Sequence, residues 1–153
     1  MKFKQHLIIG GLLACILIYF FNFSLIAGLI IFLSSWLIDF DHYFWFGVES
    51  KNWNPIKAIE WRIKFVPKWN KLSLLEKNKF KRGVFIFHGL GFWLIIVVLS
   101  FYYNLFFWIL LGVIIHMVAD WIDLINKKEP LYNKIFPIYV IKRNKNKKGL
   151  RDL

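Results

Sequence analysis

The chain has 153 residues, enough for one domain, and combines 58% hydrophobic and 20% aromatic residues with a formal net charge of +12. A water-soluble domain of this size has no interior large enough for so many Trp, Phe and Ile side chains, so the composition excludes an ordinary soluble globular protein. The single cysteine, Cys15, excludes a disulfide framework and any multi-cysteine zinc site.

Charge is confined to particular segments. Gln5 to Ile38 and Gly83 to Ala119 contain no Asp, Glu, Lys or Arg. Each run exceeds the roughly 20 apolar residues that one spanning helix needs, so each is read as two short helices. The fold class expected is an all-α integral membrane protein, a four-helix transmembrane bundle of two hairpins. The first helix runs from about 6 to 21, Asn22-Phe23-Ser24 breaks the chain, and the second runs from about 25 to 38. A single long helix through Asn22 is the competing reading, and it would place its ends on opposite sides of the membrane. Leu12-Leu13-Ala14-Cys15 would suit a lipoprotein cleavage site, but Ile16 to Phe21 stays apolar where a mature lipoprotein turns polar. Cys15 is therefore expected to be a small packing residue.

A basic, Trp-rich connection follows. From Glu49 to Arg82 there are ten Lys or Arg against three Glu. Asn54-Pro55 reads as a helix start, with Asn as N-cap and Pro at the first helical position, and the helix should end before Pro67. Its Ile56, Ile59, Ile63 and Val66 share one side. With Trp53, Trp61 and Trp69 they suit a helix lying among lipid headgroups, or one folded onto the bundle. Ser73-Leu74-Leu75-Glu76 matches a capping box whose helix would continue through Phe80. The third helix is expected over about 83 to 103 and the fourth over about 105 to 125. The tail, 126 to 153, has nine basic and two acidic residues, and Lys142 to Lys148 reads as disordered. Two domains result: 1–125, transmembrane and including the amphipathic connection 43–82, and the basic tail 126–153.

Every Lys and Arg lies in the N-terminus, the connection or the tail, and the two hairpin turns have none. The positive-inside rule puts those three segments, and both termini, on the cytoplasmic side of a cell membrane. The expected partners are the bilayer and its anionic headgroups. No recognition motif points to nucleic acid.

The histidines fall at that same end of the helices. His6 opens the first helix, His42 follows the second, His88 lies near the start of the third, and His116 is two turns from the end of the fourth. Asp39, Asp41, Asp120 and Asp123 accompany them. On a helix, His116, Asp120 and Asp123 share one face. Each alone has a plain reading: a packed histidine, or a helix-end aspartate facing Lys127. Together, ionisable groups at the rim of apolar runs mark function, and a mixed imidazole–carboxylate set suits a hard or borderline cation. The expected ligands are His6, Asp39, His42, His88, His116 and Asp120, for one or two divalent ions, Zn first, with Mn or Fe as alternatives. Asp41 and Asp123 are the candidate catalytic carboxylates, and Arg82 the group for a substrate anion.

Trp36-Leu37-Ile38-Asp39-Phe40-Asp41-His42 resembles the Leu-x-Asp-x-Asp-His signature of the small membrane-bound metal-dependent hydrolases, and His116 to Asp123 resembles their His-x-x-x-Asp element. Phe87-His88-Gly89-Leu90-Gly91 is similar to their Phe-His-Pro-Leu-His form, with Gly91 in place of the second His. The resemblance covers Gln5 to Ile125. It implies a hydrolase that uses a metal-activated water at the cytoplasmic face, and no particular substrate. The basic residues around Arg82 suggest a phosphoester or lipid-like one. The alternatives are a non-catalytic metal carrier or sensor and a structural, membrane-shaping role.

Overall fold

The structure, a computed structural model, describes residues 3–149. Among them the fold is all-helical: α1 (Phe3–Phe21), α2 (Leu25–Leu37), α3 (Phe40–Ser50), α4 (Pro55–Lys71), α5 (Leu74–Lys77), α6 (Leu90–Ser100), α7 (Asn104–Asn126), α8 (Tyr132–Ile135) and α9 (Pro137–Asn144). Three stretches are long and apolar enough to cross a membrane: Lys4–Phe21, Leu25–Ser50 and Asn104–Asn126. Two compact units emerge, one from Met1–Asp39 with Ile86–Leu131, the other from Phe40–Phe85 with Tyr132–Leu153.

In the first unit, α1 packs on α2, and α7 packs on α2, α6 and α1. The break at Asn22 is sharp. Asn22 takes a positive φ of 55°, a conformation Asn tolerates at a helix end. The Phe23 N–H then reaches back to the Leu17 carbonyl at 3.2 Å. Ser24 caps α2 by accepting from the Ala27 N–H at 3.2 Å. A single helix through this point is therefore ruled out. The Ala14 side chain turns inward, whereas Cys15 is exposed and does not serve as a packing residue.

Lipid is as apolar as leucine, so helices in a membrane associate through close packing rather than through burial from water. Glycine provides it here. A Cβ at Gly28 would strike Ile18, and one at Gly112 would strike the Ser34 hydroxyl and the Ile31 carbonyl. Ile38, Val113 and Met117 form the core between these helices, with Phe87, Phe92, Trp93, Ile109 and Trp121 around them.

The third helix departs from expectation. Residues 81–89 are not helical, and α6 has only 11 residues. At about 1.5 Å per residue it cannot alone cross a core about 30 Å thick. The cause lies far along the chain. In the second unit the Asn144 side chain takes both backbone groups of Arg82. The Arg82 N–H donates to Asn144 Oδ1 at 3.0 Å, and Asn144 Nδ2 donates to the Arg82 carbonyl at 2.8 Å. The Lys81 N–H is likewise held by the Lys148 carbonyl at 2.9 Å. The capping box forms, but α5 consequently lasts a single turn and does not run through Phe80.

The second unit holds three further departures. α3 occupies the start of the expected connection. α4 begins as expected, with Asn54 Oδ1 accepting from the Ile56 and Lys57 N–H groups, but it continues through Pro67 to Lys71. An aromatic ladder on one face accompanies it across the proline: Trp61 stacks on Phe65 at 4.6 Å, and Phe65 meets Trp69 at 5.6 Å. Trp61 also packs on Phe46 of α3. Finally, the tail is ordered where disorder was expected. Pro137 opens α9, Val140 is fully buried, and Arg143 donates to the Phe80 and Asn78 carbonyls at 3.0 and 3.2 Å.

Candidate metal centre

Four parts of the first unit converge on one point. α1 brings His6, one turn from its start. The residues just past α2 bring Asp39. The turn at 86–89, closed by a 3.0 Å bond from the Gly89 N–H to the Ile86 carbonyl, brings His88. α7 brings His116 and Asp120, one turn apart. All are buried: Asp39 is 8% exposed, and the other four are 2% or less.

Two glycines allow the approach. Gly10 lies one turn from His6, and a Cβ there would collide with the Ser35 hydroxyl. Gly112 lies one turn before His116 and sits against Ser34, Ser35 and Ile31. Both helices thus close on the Ser34-Ser35 step of α2. Each serine hydroxyl is turned back on its own helix, Ser34 to the Ile30 and Ile31 carbonyls and Ser35 to Phe32. That leaves the Ser35 carbonyl, one of the last of α2, to be satisfied from outside. His116 Nδ1 does so at 2.7 Å. A carbonyl only accepts, so in the neutral ring Nδ1 carries the proton and Nε2 presents its lone pair to the centre.

His116 Nε2 lies 3.1 Å from His88 Nε2 and 3.3 Å from Asp120 Oδ2, and His88 Nε2 lies 3.4 Å from the same oxygen. Asp39 Oδ1 stands 3.8 Å from His116 Nε2 and 4.0 Å from His88 Nε2. Donor atoms about 2.0–2.1 Å from a shared tetrahedral ion lie about 3.3–3.4 Å apart, a spacing that His88, His116 and Asp120 come close to and Asp39 exceeds. The second oxygen of Asp120 faces His6 Nε2 at 3.3 Å. The His6 ring stacks on His116 with centroids 4.0 Å apart. Although buried, neither His6 nitrogen makes a hydrogen bond among the described residues. Buried polar atoms without hydrogen bonds are rare, and a cation at Nε2 beside the Asp120 carboxylate would satisfy one of the two. His6, Asp39, His116 and Asp120 each offer a ligand atom within 4.8 Å of one another, a buried His/Asp group that could hold a metal ion.

Of the remaining expected site residues, Asp123 belongs to the first unit and three to the second. Asp123 forms a 2.6 Å ion pair with Lys127 at the partly exposed end of α7 and is not gathered into the group. Asp41, His42 and Arg82 belong to the second unit. Asp41 is buried in the first turn of α3, the half-buried His42 ring packs against Phe85 at 4.5 Å, and the Arg82 guanidinium lies 5.7 Å from the Trp69 ring. A side chain at Gly91 would enter open space, so the residue leaves no gap in the group. Sequence reasoning missed Ser35, Gly10 and Gly112. The glycines carried a signal, each one helical turn from a histidine in an apolar run.

Among the described residues, fold and site together define an all-helical protein with three stretches able to cross a membrane and a buried His/Asp group that could hold a metal ion. No family model, curated protein or solved structure matches the chain.

Proposed function

We propose that the protein is a membrane-embedded metal-dependent hydrolase, with His6, Asp39, His88, His116 and Asp120 as the ligands of a divalent cation. The observation that carries this reading is the spacing of the His88, His116 and Asp120 donor atoms, 3.1 to 3.4 Å, in a buried apolar setting. Buried carboxylates cost several kcal/mol unless they are paired; Asp39 and Asp120 lie among three imidazoles, and a dication would balance their charge. Nitrogen and oxygen donors without sulfur favour Zn, with Mn or Fe next. Such an ion would bring the pKa of a bound water down into the neutral range and would polarise a phosphoryl or carbonyl oxygen. The protein's own part is to fix the donors, to hold the His116 tautomer through Ser35, and to exclude bulk water. Asp39, the most accessible of the five, is the carboxylate placed to take a proton from an entering water.

In the membrane, α1 with α2 and α6 with α7 form two hairpins, and the turn at 86–89 completes the short crossing of α6. Irregular backbone at that depth is tolerated where protein covers it, and His88 is 1% exposed. The basic segments face the cytoplasm and lie on anionic headgroups. In α4 the aromatic ladder is spent on its own unit, while Ile56, Ile59 and Ile63 remain more than 60% exposed beside Lys57 and Lys64. That sidedness suits a lipid surface better than a fold-back.

Protein purified without chelator should contain Zn or Mn and cleave a phosphodiester, phospholipid or ester probe. Equal turnover by a His116→Ala/Asp120→Ala double variant would refute the reading. The near-complete burial of four ligands favours a second one, a closed structural or sensing metal site, which keeps the metal and shows no turnover on any probe.

A further inference from the structure

A groove of about 350 Å³ opens in the first unit between α2, α6 and α7. Ile30, Leu33, Leu37, Phe92 and Ile109 line it, with Ile38, Phe87 and Val113 toward the metal ligands. Its polar capacity is nearly nil. Ser34 is the one hydroxyl on the wall, and that hydroxyl already bonds the Ile30 and Ile31 carbonyls at 2.8 and 3.1 Å. A sugar, nucleotide or peptide backbone would find nothing here to replace its hydrogen bonds with water.

The groove is tied to the centre by the chain itself. Ile38 precedes Asp39, Phe87 precedes His88, and Val113 stands one turn before His116. From that level the wall on α7 extends to Ile109, about 10 Å from His116 along the helix at 1.5 Å per residue. It runs away from the end of α7 that carries Asp123 and Lys127. On the same three helices Leu29, Leu94 and Ile114 are also exposed, an apolar surface suited to hydrocarbon.

We propose that this groove holds one acyl chain of a lipid whose polar head reaches the metal centre, so that the substrate is a membrane amphiphile rather than a soluble ester. The assignment of the head to the centre rests on the hydrolase reading; occupancy of the groove by the chain does not. An apolar slot whose wall residues Ile38 and Phe87 adjoin Asp39 and His88 along the chain selects for a molecule with both characters, and binding of the chain positions the head.

The test uses the full chain in phosphatidylcholine nanodiscs doped with a phosphatidylcholine that carries a diazirine at mid-chain. After irradiation, labelling should be several-fold heavier at Leu33, Leu37 and Phe92 than at the exposed Ile8 and Leu12 of α1. Ile109→Trp, which fills the groove, should reduce it to the α1 level, and Ile109→Met should preserve it. Leu33→Trp serves if Ile109→Trp does not fold. Equal labelling of α1 and the groove would mean ordinary boundary lipid and would overturn the proposal. So would labelling that falls as protein crowds the disc while copies cross-link through α2, because a second copy would then fill the groove. Metal content measured on the same samples separates the two readings. Focused labelling without metal sinks the hydrolase alone, and uniform labelling with full metal sinks the groove alone.

Discussion

His116 Nδ1 lies 2.7 Å from the carbonyl oxygen of Ser35, a residue 81 positions earlier in the chain. That one bond closes the end of α2, fixes which imidazole nitrogen faces the centre, and ties α7 to α2 at the level of the His/Asp group. It exists because Gly112, one turn earlier on α7, has no side chain to hold the helices apart.

Gly112→Val should therefore damage the centre without touching a ligand. The added side chain meets the Ile31 carbonyl and the Ser34 hydroxyl, α7 shifts outward, and His116 loses the carbonyl. Loss of an orienting partner typically costs about 10- to 100-fold in metal affinity. Zn competition titration of wild type against Gly112→Val reads this directly. Unchanged affinity in a folded variant would show that Ser35 does not orient the ring.

Asp120 offers one oxygen to His88 and His116 and the other to His6, so it joins the two sides of the site. Asp120→Asn should have opposite effects with and without metal. In apo protein Asp39 and Asp120 hold ligand atoms within 4.8 Å of one another, so neutralising one of two like-charged carboxylates should raise the thermal midpoint. With Zn present it should lower the midpoint relative to wild type, because a ligand is lost. A variant less stable than wild type in both states would mean that Asp120 is held by protein partners alone.

The fold was legible in the sequence where local chemistry decides it, as at Asn22 and Ser24, at Asn54-Pro55, and at the Ser73–Glu76 capping box. It was illegible where distant partners decide. Nothing near Arg82 announces that Asn144 will take its backbone groups and stop a helix from forming over 81–89. Likewise, Pro67 in isolation argues for a helix end, and the Trp61, Phe65 and Trp69 ladder is visible only as spacing. The site followed the same division. The titratable members of the His/Asp group stand out against apolar runs, and helical spacing pairs His116 with Asp120. The role of Ser35 resides in a backbone carbonyl, which no residue type encodes. Asp123 reads from the sequence as a candidate catalytic carboxylate or as a helix-end charge facing Lys127, and it makes that ion pair at 2.6 Å.

Glu76 gives a local pH test. The Ser73 backbone N–H, and then its hydroxyl, donate to the Glu76 carboxylate at 2.8 Å and hold its pKa below the ordinary glutamate range. A carboxyl depressed in the folded state contributes its stabilisation in full above the unfolded value, about 4.3. It loses that contribution as the pH falls through the lower folded value. Amide exchange at Ser73 should therefore be steady at neutral pH, after correction for intrinsic rates, and accelerate only in acid. Glu76→Gln should abolish the acid-dependent part.

The exposed stripe of α4 should be read by the lipid rather than by the protein. Each Lys or Arg near an anionic surface contributes about 1 kcal/mol, a term that salt screens, whereas insertion of Ile59 and Ile63 is insensitive to salt. Hydrogen exchange over Pro55–Lys71 should be slower in nanodiscs containing phosphatidylglycerol than in pure phosphatidylcholine. Raising the salt should remove part of that difference. Ile59→Asp with Ile63→Asp should remove most of what remains. Protection that is identical in both lipids and unaffected by the two aspartates would place the stripe against protein.

Chelation is the broadest test. A ligand that binds only the folded state stabilises it by RT ln(1 + [L]/Kd), about 2.7 kcal/mol at a hundredfold excess over Kd. Dialysis against EDTA should therefore lower the thermal midpoint of wild type by several degrees, and equimolar Zn should restore it. The ligand variants His88→Ala and Asp120→Asn should respond to neither treatment. Asp123→Asn should respond as wild type does, because its carboxylate is engaged by Lys127 and stands outside the ligand group. If Asp123→Asn instead loses the response, the centre extends further along α7 than the five residues assigned to it. If wild type itself ignores both reagents, the spacing of His88, His116 and Asp120 reflects a hydrogen-bonded core and no cation.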